Sequence, residues 1–141
     1  MIDCLILGDS IAVGTQMFYK ECQVIAKSGI NSHNFNKTNN INFSANNVVI
    51  SLGSNDHQGI KTKQELEKLR NRVDPNSKVF WIVPAINQEI QDIVKLIAEQ
   101  NHDTIVNIKK TEPDGVHPTW TGYRDIRQQI KDGNKETTNT K

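Results

Sequence analysis

VVISLGSND, residues 48–56, opens with five residues of which only Ser51 is polar, and closes on Gly53, Ser54, Asn55 and Asp56. A run without polar alternation is covered on both faces, as a strand of a parallel sheet is. CLIL (4–7) and VFWIV (79–83) repeat the pattern. The reading extends to five strands, at 2–7, 23–26, 47–52, 78–83 and 104–108. Helical patterns lie between them, first at 11–20 and last at 120–130. Thr62 with Glu65 predicts a capping box ahead of Leu66, Leu69 and Val73, and Asp74-Pro75-Asn76 ends that element. Asn87 is placed to cap a further helix whose apolar stripe is Ile90, Ile93, Val94, Ile97 and Ala98. The segment 31–37 reads as a short helix or an irregular turn. Strands alternating with helices predict right-handed crossovers and a three-layer α/β domain, in which ligands bind beyond the carboxyl ends of the strands.

Composition suits one core, with 35% hydrophobic and 23% charged residues in 141. The domain is expected over 1–131, and 132–141, in a stretch without an apolar residue, as a disordered tail. With 17 basic against 16 acidic side chains there is no broad cationic field, so nucleic acid and anionic membrane are poor candidate partners. A small molecule or a neutral polymer fits better. No apolar run approaches the ~18 residues of a membrane span and no signal segment is visible, which makes the cytoplasm the default expectation. Cys4 and Cys22 sit in or beside apolar runs and read as buried core thiols, not as a disulfide framework; metal-ligand spacings are absent, and neither metal nor cofactor is expected. Sixteen asparagines, eight of them between Asn31 and Asn47, are a compositional bias without evident chemistry.

The segments after the strands are GDS, KSG, GSND, PAIN and KKTEPDGVHPT, and a parallel sheet gathers them on one edge. Ser10 by itself reads as a helix cap ahead of a nucleophile. An alkyl hydroxyl needs a base within hydrogen-bond reach, and His117 is the best placed, three residues after Asp114 in a loop that Gly115 and Pro118 restrain. The Asp-x-x-His spacing lets the carboxylate orient one ring nitrogen and leaves the other for the serine. Taken singly, His117 is equally a solvated loop histidine and Asp114 a turn aspartate. Acyl transfer also needs donors aimed at the developing oxyanion, and the Ser10 N–H, the Gly29 N–H and the Asn55 side chain are candidates. A plain turn at Gly29 and a self-satisfied asparagine at Asn55 are the alternatives.

Together, Ser10, Gly29, Asn55 and His117, in GDSIAVG, KSGINS, VVISLGSND and DGVHPTWTGY, resemble the four blocks of the SGNH hydrolases, the GDSL esterase and lipase superfamily. Ile11 replaces the leucine that usually follows GDS. The resemblance implies a flavodoxin-like α/β/α hydrolase. Ser10 would be the nucleophile, His117 the base and Asp114 its orienting carboxylate, with Ser10, Gly29 and Asn55 forming the oxyanion hole. Asp9, outside the triad, is expected to hold the turn through backbone N–H groups. Asp56 and His57 either line the pocket or are a turn aspartate and a solvated histidine. Trp120 either stacks on a sugar or packs the last helix against the sheet, the reading its spacing with Tyr123 and Ile130 favours. Trp81 is read as core, and His33 and His102 as surface residues. Short loops leave no room for a deep lid, which suits a small acyl group such as acetyl on a carbohydrate or small ester. Lipid esters, thioesters and a non-catalytic glycan-binding or structural module on the same fold are the alternatives.

Overall fold

The computed structural model describes residues 2–139. Its elements run β1 (Ile2–Gly8), α1 (Ser10–Phe18), β2 (Gln23–Ala26), α2 (Ser32–Thr38), β3 (Ala45–Ser51), α3 (Thr62–Arg70), β4 (Lys78–Val83), α4 (Gln88–Gln100), β5 (Thr104–Asn107) and α5 (Trp120–Asn139). The sheet has the order β2-β1-β3-β4-β5 with every neighbouring pair parallel. The predicted strands match it to within two residues at each end.

Period-2 alternation inside the apolar runs fills two layers, because both neighbours of each strand face are greasy. Leu5, Leu7, Val48, Ile50, Val79 and Trp81 point to one side and meet Leu66 and Leu69 of α3 and Val94 and Ile97 of α4. Cys4, Ile6, Val49, Phe80, Ile82 and Val106 point to the other and meet Ile11 and Ala12 of α1 and Ile126 and Ile130 of α5. This is the expected three-layer α/β/α sandwich. The chain leaves β1 first toward β2 and then returns to β3 on its other side, so the crevice where such folds bind ligands lies above β1 and β3.

Three expectations need correction. Cys4 and Cys22 are buried but not free: they form a disulfide. Strand β2 begins beside β1 with Gln23 opposite Leu5, so one step back along both strands brings Cys22 to Cys4. Thr62 does not cap α3; Lys61 precedes the helix without a side-chain bond, and Thr62 Oγ1 instead donates to Asp56 Oδ2 at 2.7 Å. The tail predicted from residue 132 is helical to Asn139, with Lys78 Nζ donating to the Gly133 carbonyl at 2.8 Å and Gly133 lying against the Phe80 ring. Residues 140 and 141 lie outside the described residues. The asparagine-rich segment is ordered, since Asn31 caps α2 by accepting from Asn34 N–H and Asn36 donates to the Glu65 carbonyl.

Candidate active site

The site begins with a close approach of two strands. The Asp9 N–H donates to the Ser51 carbonyl at 3.0 Å. At Gly8, with φ +144°, a Cβ would stand 1.9 Å from that same carbonyl oxygen, so only glycine lets β1 reach its end beside β3. Asp9, not Ser10, caps α1: its Oδ1 accepts from the Ile11 N–H at 3.0 Å and from the Ser51 hydroxyl at 3.1 Å. Asp9 therefore holds the turn as expected. It is fully buried, and among the described residues its Oδ2 has no hydrogen-bond partner. Burial pushes its carboxyl up to about 6, and the Ile11 N–H and Ser51 hydroxyl limit the rise. Ser10 is thereby the first helical residue, with its N–H at the positive end of α1.

The loop after β5 is a closed hairpin-like excursion. The Glu112 N–H donates to the His117 carbonyl at 2.8 Å, Thr119 N–H to Lys110 O at 3.0 Å, and Gly115 N–H to Glu112 O at 2.9 Å. Pro113 thus occupies the second position of a turn, where its fixed φ fits. Within this frame Asp114 Oδ1 accepts from the Val116 and His117 N–H groups at 2.8 and 3.0 Å. Its Oδ2 is 2.7 Å from His117 Nδ1, and His117 Nε2 is 2.8 Å from Ser10 Oγ. With the Nδ1 proton donated to Asp114, Nε2 is left to accept from the serine hydroxyl. The Val116 N–H, the His117 ring and the His117 N–H hold the Asp114 carboxyl down at about 2. The side chains of His117 and Asp114 are 43% and 48% exposed, so the relay lies on an open edge.

The second strand end stands beside this relay. Lys27 N–H donates to Gly8 O at 3.0 Å, and Ile30 N–H to Lys27 O at 3.2 Å, closing a turn whose third residue is Gly29 at φ +82°. A Cβ at Gly29 would meet no atom within 4 Å, so glycine is required there by the backbone conformation, not by crowding. Asn55 Nδ2 donates to the Ile30 carbonyl at 3.1 Å, which joins the Gly29 turn to the segment after β3. An amide nitrogen carries two hydrogens, so one remains for a ligand oxygen.

The proposed lining residues fare differently. Asp56 accepts from the Ser32 N–H (2.8 Å), the Ser32 hydroxyl (2.6 Å) and the Thr62 hydroxyl, so its carboxylate pins α2 to α3. His57 is exposed, with Nδ1 2.9 Å from the Gln58 carbonyl. Both border a cavity of about 820 Å³ that Asn87 and Ile90 also line. Trp120 does not pack α5 onto the sheet: it is 65% exposed, its ring edge-on to Phe18 at 5.9 Å. Trp81 is core, and its indole N–H donates to Asp103. His33 and His102 are exposed, His33 pairing with Glu65.

Three contacts escape a motif reading. Ser51 supplies the second donor to Asp9, and its only signal is a polar residue inside an apolar run. Gly14 makes room for Tyr123, whose phenol would collide with a Cβ there at 2.3 Å; burial, then the Asp9 and Asp114 charges, push that phenol up to about 12. Ile86, 51% exposed, stands 3.8 Å from where a Cβ on Gly115 would be, and so flanks the histidine loop.

Fold and site together define a three-layer α/β/α protein of flavodoxin-like strand order, with a serine, a histidine and an aspartate in series at the carboxyl edge. No protein-family model and no curated protein matches the chain. Solved structures do. A member of the lipolytic protein G-D-S-L family from Veillonella parvula superposes with a TM-score of 0.69 at 13% identity, covering 94% of this chain and 97% of that one. The C-terminal catalytic domain of Streptococcus pneumoniae peptidoglycan O-acetyltransferase A, carrying a methylsulfonyl adduct, gives 0.63 at 16% identity, covering 97% and 94%. At such identities the finding is a shared fold: the chain has the α/β architecture of GDSL proteins over nearly its whole length.

Proposed function

We propose that the chain is a serine ester hydrolase. The observation that carries this reading is the series Asp114–His117–Ser10, joined at 2.7 and 2.8 Å where β1 ends. In the reaction, Ser10 Oγ bonds to the ester carbonyl carbon while its proton passes to His117 Nε2. The imidazolium is stabilised by Asp114, which is ionised throughout the neutral range. The carbonyl oxygen becomes an oxyanion that takes hydrogen bonds from the Ser10 N–H, the Gly29 N–H and the free Asn55 amide hydrogen, each worth about 3 kcal/mol. Collapse returns the electron pair, breaks the bond to the alkoxy oxygen, and His117 gives that oxygen its proton. Water, deprotonated by the same nitrogen, then releases the acid from Ser10. The fold shared with an acyl-transfer domain and a lipolytic protein supports acyl chemistry on this scaffold.

The acyl group is small and the alcohol large. Neither 820 Å³ cavity is lined by Ser10 or His117, and the relay is half exposed, which supports a short acyl group over a long chain and lets a bulky alcohol extend into solvent. The Cys4–Cys22 disulfide favours an oxidising compartment over the cytoplasmic default. The test is hydrolysis of p-nitrophenyl acetate and octanoate by the chain and by Ser10→Ala. The proposal expects acetate to be preferred and the variant to lose both activities; equal rates for chain and variant overturn it.

A further inference from the structure

A second concavity, about 820 Å³, runs between the end of α1 and the first turns of α5. Met17 and Trp120 rise from it 62% and 65% exposed. Two large apolar side chains left in water beside one another call for a ligand, since isolated exposure is ordinary but a shared patch in a groove is not. Arg124 lies over the Trp120 ring at 5.3 Å and Phe18 stands against it at 5.9 Å and 70°, yet the indole stays 65% exposed, so much of its apolar surface is left toward solvent. Phe18 in turn stacks on Tyr123 at 5.4 Å and 11°, so the platform is braced against the helix pair and cannot fold away cheaply.

We propose that this groove is a distal subsite for a neutral oligosaccharide strand whose ester lies at Ser10. The inference rests on the ester-hydrolase reading and names its alcohol. The platform begins three residues after His117, and Phe18 follows Ser10 by eight residues of helix, or ~12 Å, farther than one ring attached at the serine would reach. A polymer spans that distance. The flat face of Trp120 suits the axial C–H face of a β-linked pyranose. Lys20, Arg124 and Gln128 supply polar groups for ring hydroxyls. The rim carries both signs, with Glu21 and Asp125 beside the cations and Glu21 3.6 Å from Arg127, so a highly anionic surface would meet repulsion as well as attraction. A hydroxyl-rich neutral chain does not.

The molecule supplies its own reporter. It has two tryptophans, and Trp81 is fully buried with its indole N–H on Asp103, so changes in solvent access to indole fluorescence come from Trp120. The experiment titrates β-1,4-linked glucose and N-acetylglucosamine tetrasaccharides into the Ser10→Ala chain, so that binding is read without turnover. The expected result is protection from acrylamide quenching and a blue-shifted emission, with at least one of the two sugars. Calorimetry should then show affinity falling about tenfold in Ser10→Ala/Trp120→Ala and partly recovered in Ser10→Ala/Trp120→Phe. No protection by either sugar overturns the subsite. So does unchanged affinity in Trp120→Ala, and so does protection by phosphatidylglycerol vesicles alone, which would assign the patch to a lipid surface. Because p-nitrophenyl acetate turnover does not enter this measurement, failure of the subsite and failure of the hydrolase reading are distinguishable.

Discussion

Replacing Asp9 by Asn should make the protein more stable relative to wild type as the pH rises. Asp9 is fully buried, one oxygen accepts two hydrogen bonds, and the other accepts none. Its folded-state pKa is raised from 3.8 to about 6. A raised carboxyl binds its proton more tightly in the folded chain, so the stability it contributes is fully present below pH 3.8 and is lost as the pH rises through 6. The difference of roughly 2 pH units corresponds to about 3 kcal/mol. Asparagine keeps the shape and an oxygen for the Ile11 and Ser51 donors but cannot ionise. Any constant effect of the amide cancels when two pH values are compared. Urea unfolding of wild type and Asp9→Asn at pH 3.5 and 7 should therefore show the variant gaining about 3 kcal/mol on wild type across that interval. A difference that does not change with pH would refute the argument. A variant that loses ground would mean that the N-terminal field of α1 stabilises the carboxylate by more than burial costs.

Two further outcomes follow from the same structure. Reducing Cys4–Cys22, which closes a loop of sequence separation 18, should lower the unfolding free energy by about 3 kcal/mol, seen as a shifted urea midpoint with and without a phosphine reductant; coincident curves would mean that the cysteines do not pair. Because Asp114 is held at about 2, it stays ionised across the neutral range, and because a protonated imidazole cannot take the serine proton, kcat/KM should fall with unit slope on acidification; a flat profile from pH 8 down to 5 would remove His117 from its role.

The strands were legible because each is an apolar run covered on both faces, and the strand-end rule then put Ser10, Asn55 and His117 on one edge. What sequence could not supply was register. Cys22 meets Cys4 only because β2 pairs with β1 from Gln23 opposite Leu5, and no spacing of cysteines announces that. Ser51 reaches Asp9 for the same kind of reason, through the pairing of Gly8 with Ser51. The Thr62–Glu65 pattern misled because both side chains find stronger partners across the layer, Thr62 on Asp56 and Glu65 on Asn36 and His33. Residues 132–139 look solvated by composition, yet a glycine backbone packs on Phe80 and accepts from Lys78, contacts that a side-chain census cannot anticipate. Trp120 fits the apolar spacing of α5, but Tyr123, seated on Gly14, takes the packing position and turns the indole outward.

The central claim is that His117 makes Ser10 a nucleophile. Intact-mass and peptide mapping after treatment with phenylmethanesulfonyl fluoride tests it most directly, since the reagent sulfonylates a serine only where a neighbouring base removes its proton. The account predicts one adduct, on Ser10, in wild type and none in His117→Ala. Labelling of Ser10 at the same rate in His117→Ala, or no labelling of Ser10 in the wild-type chain, would contradict it.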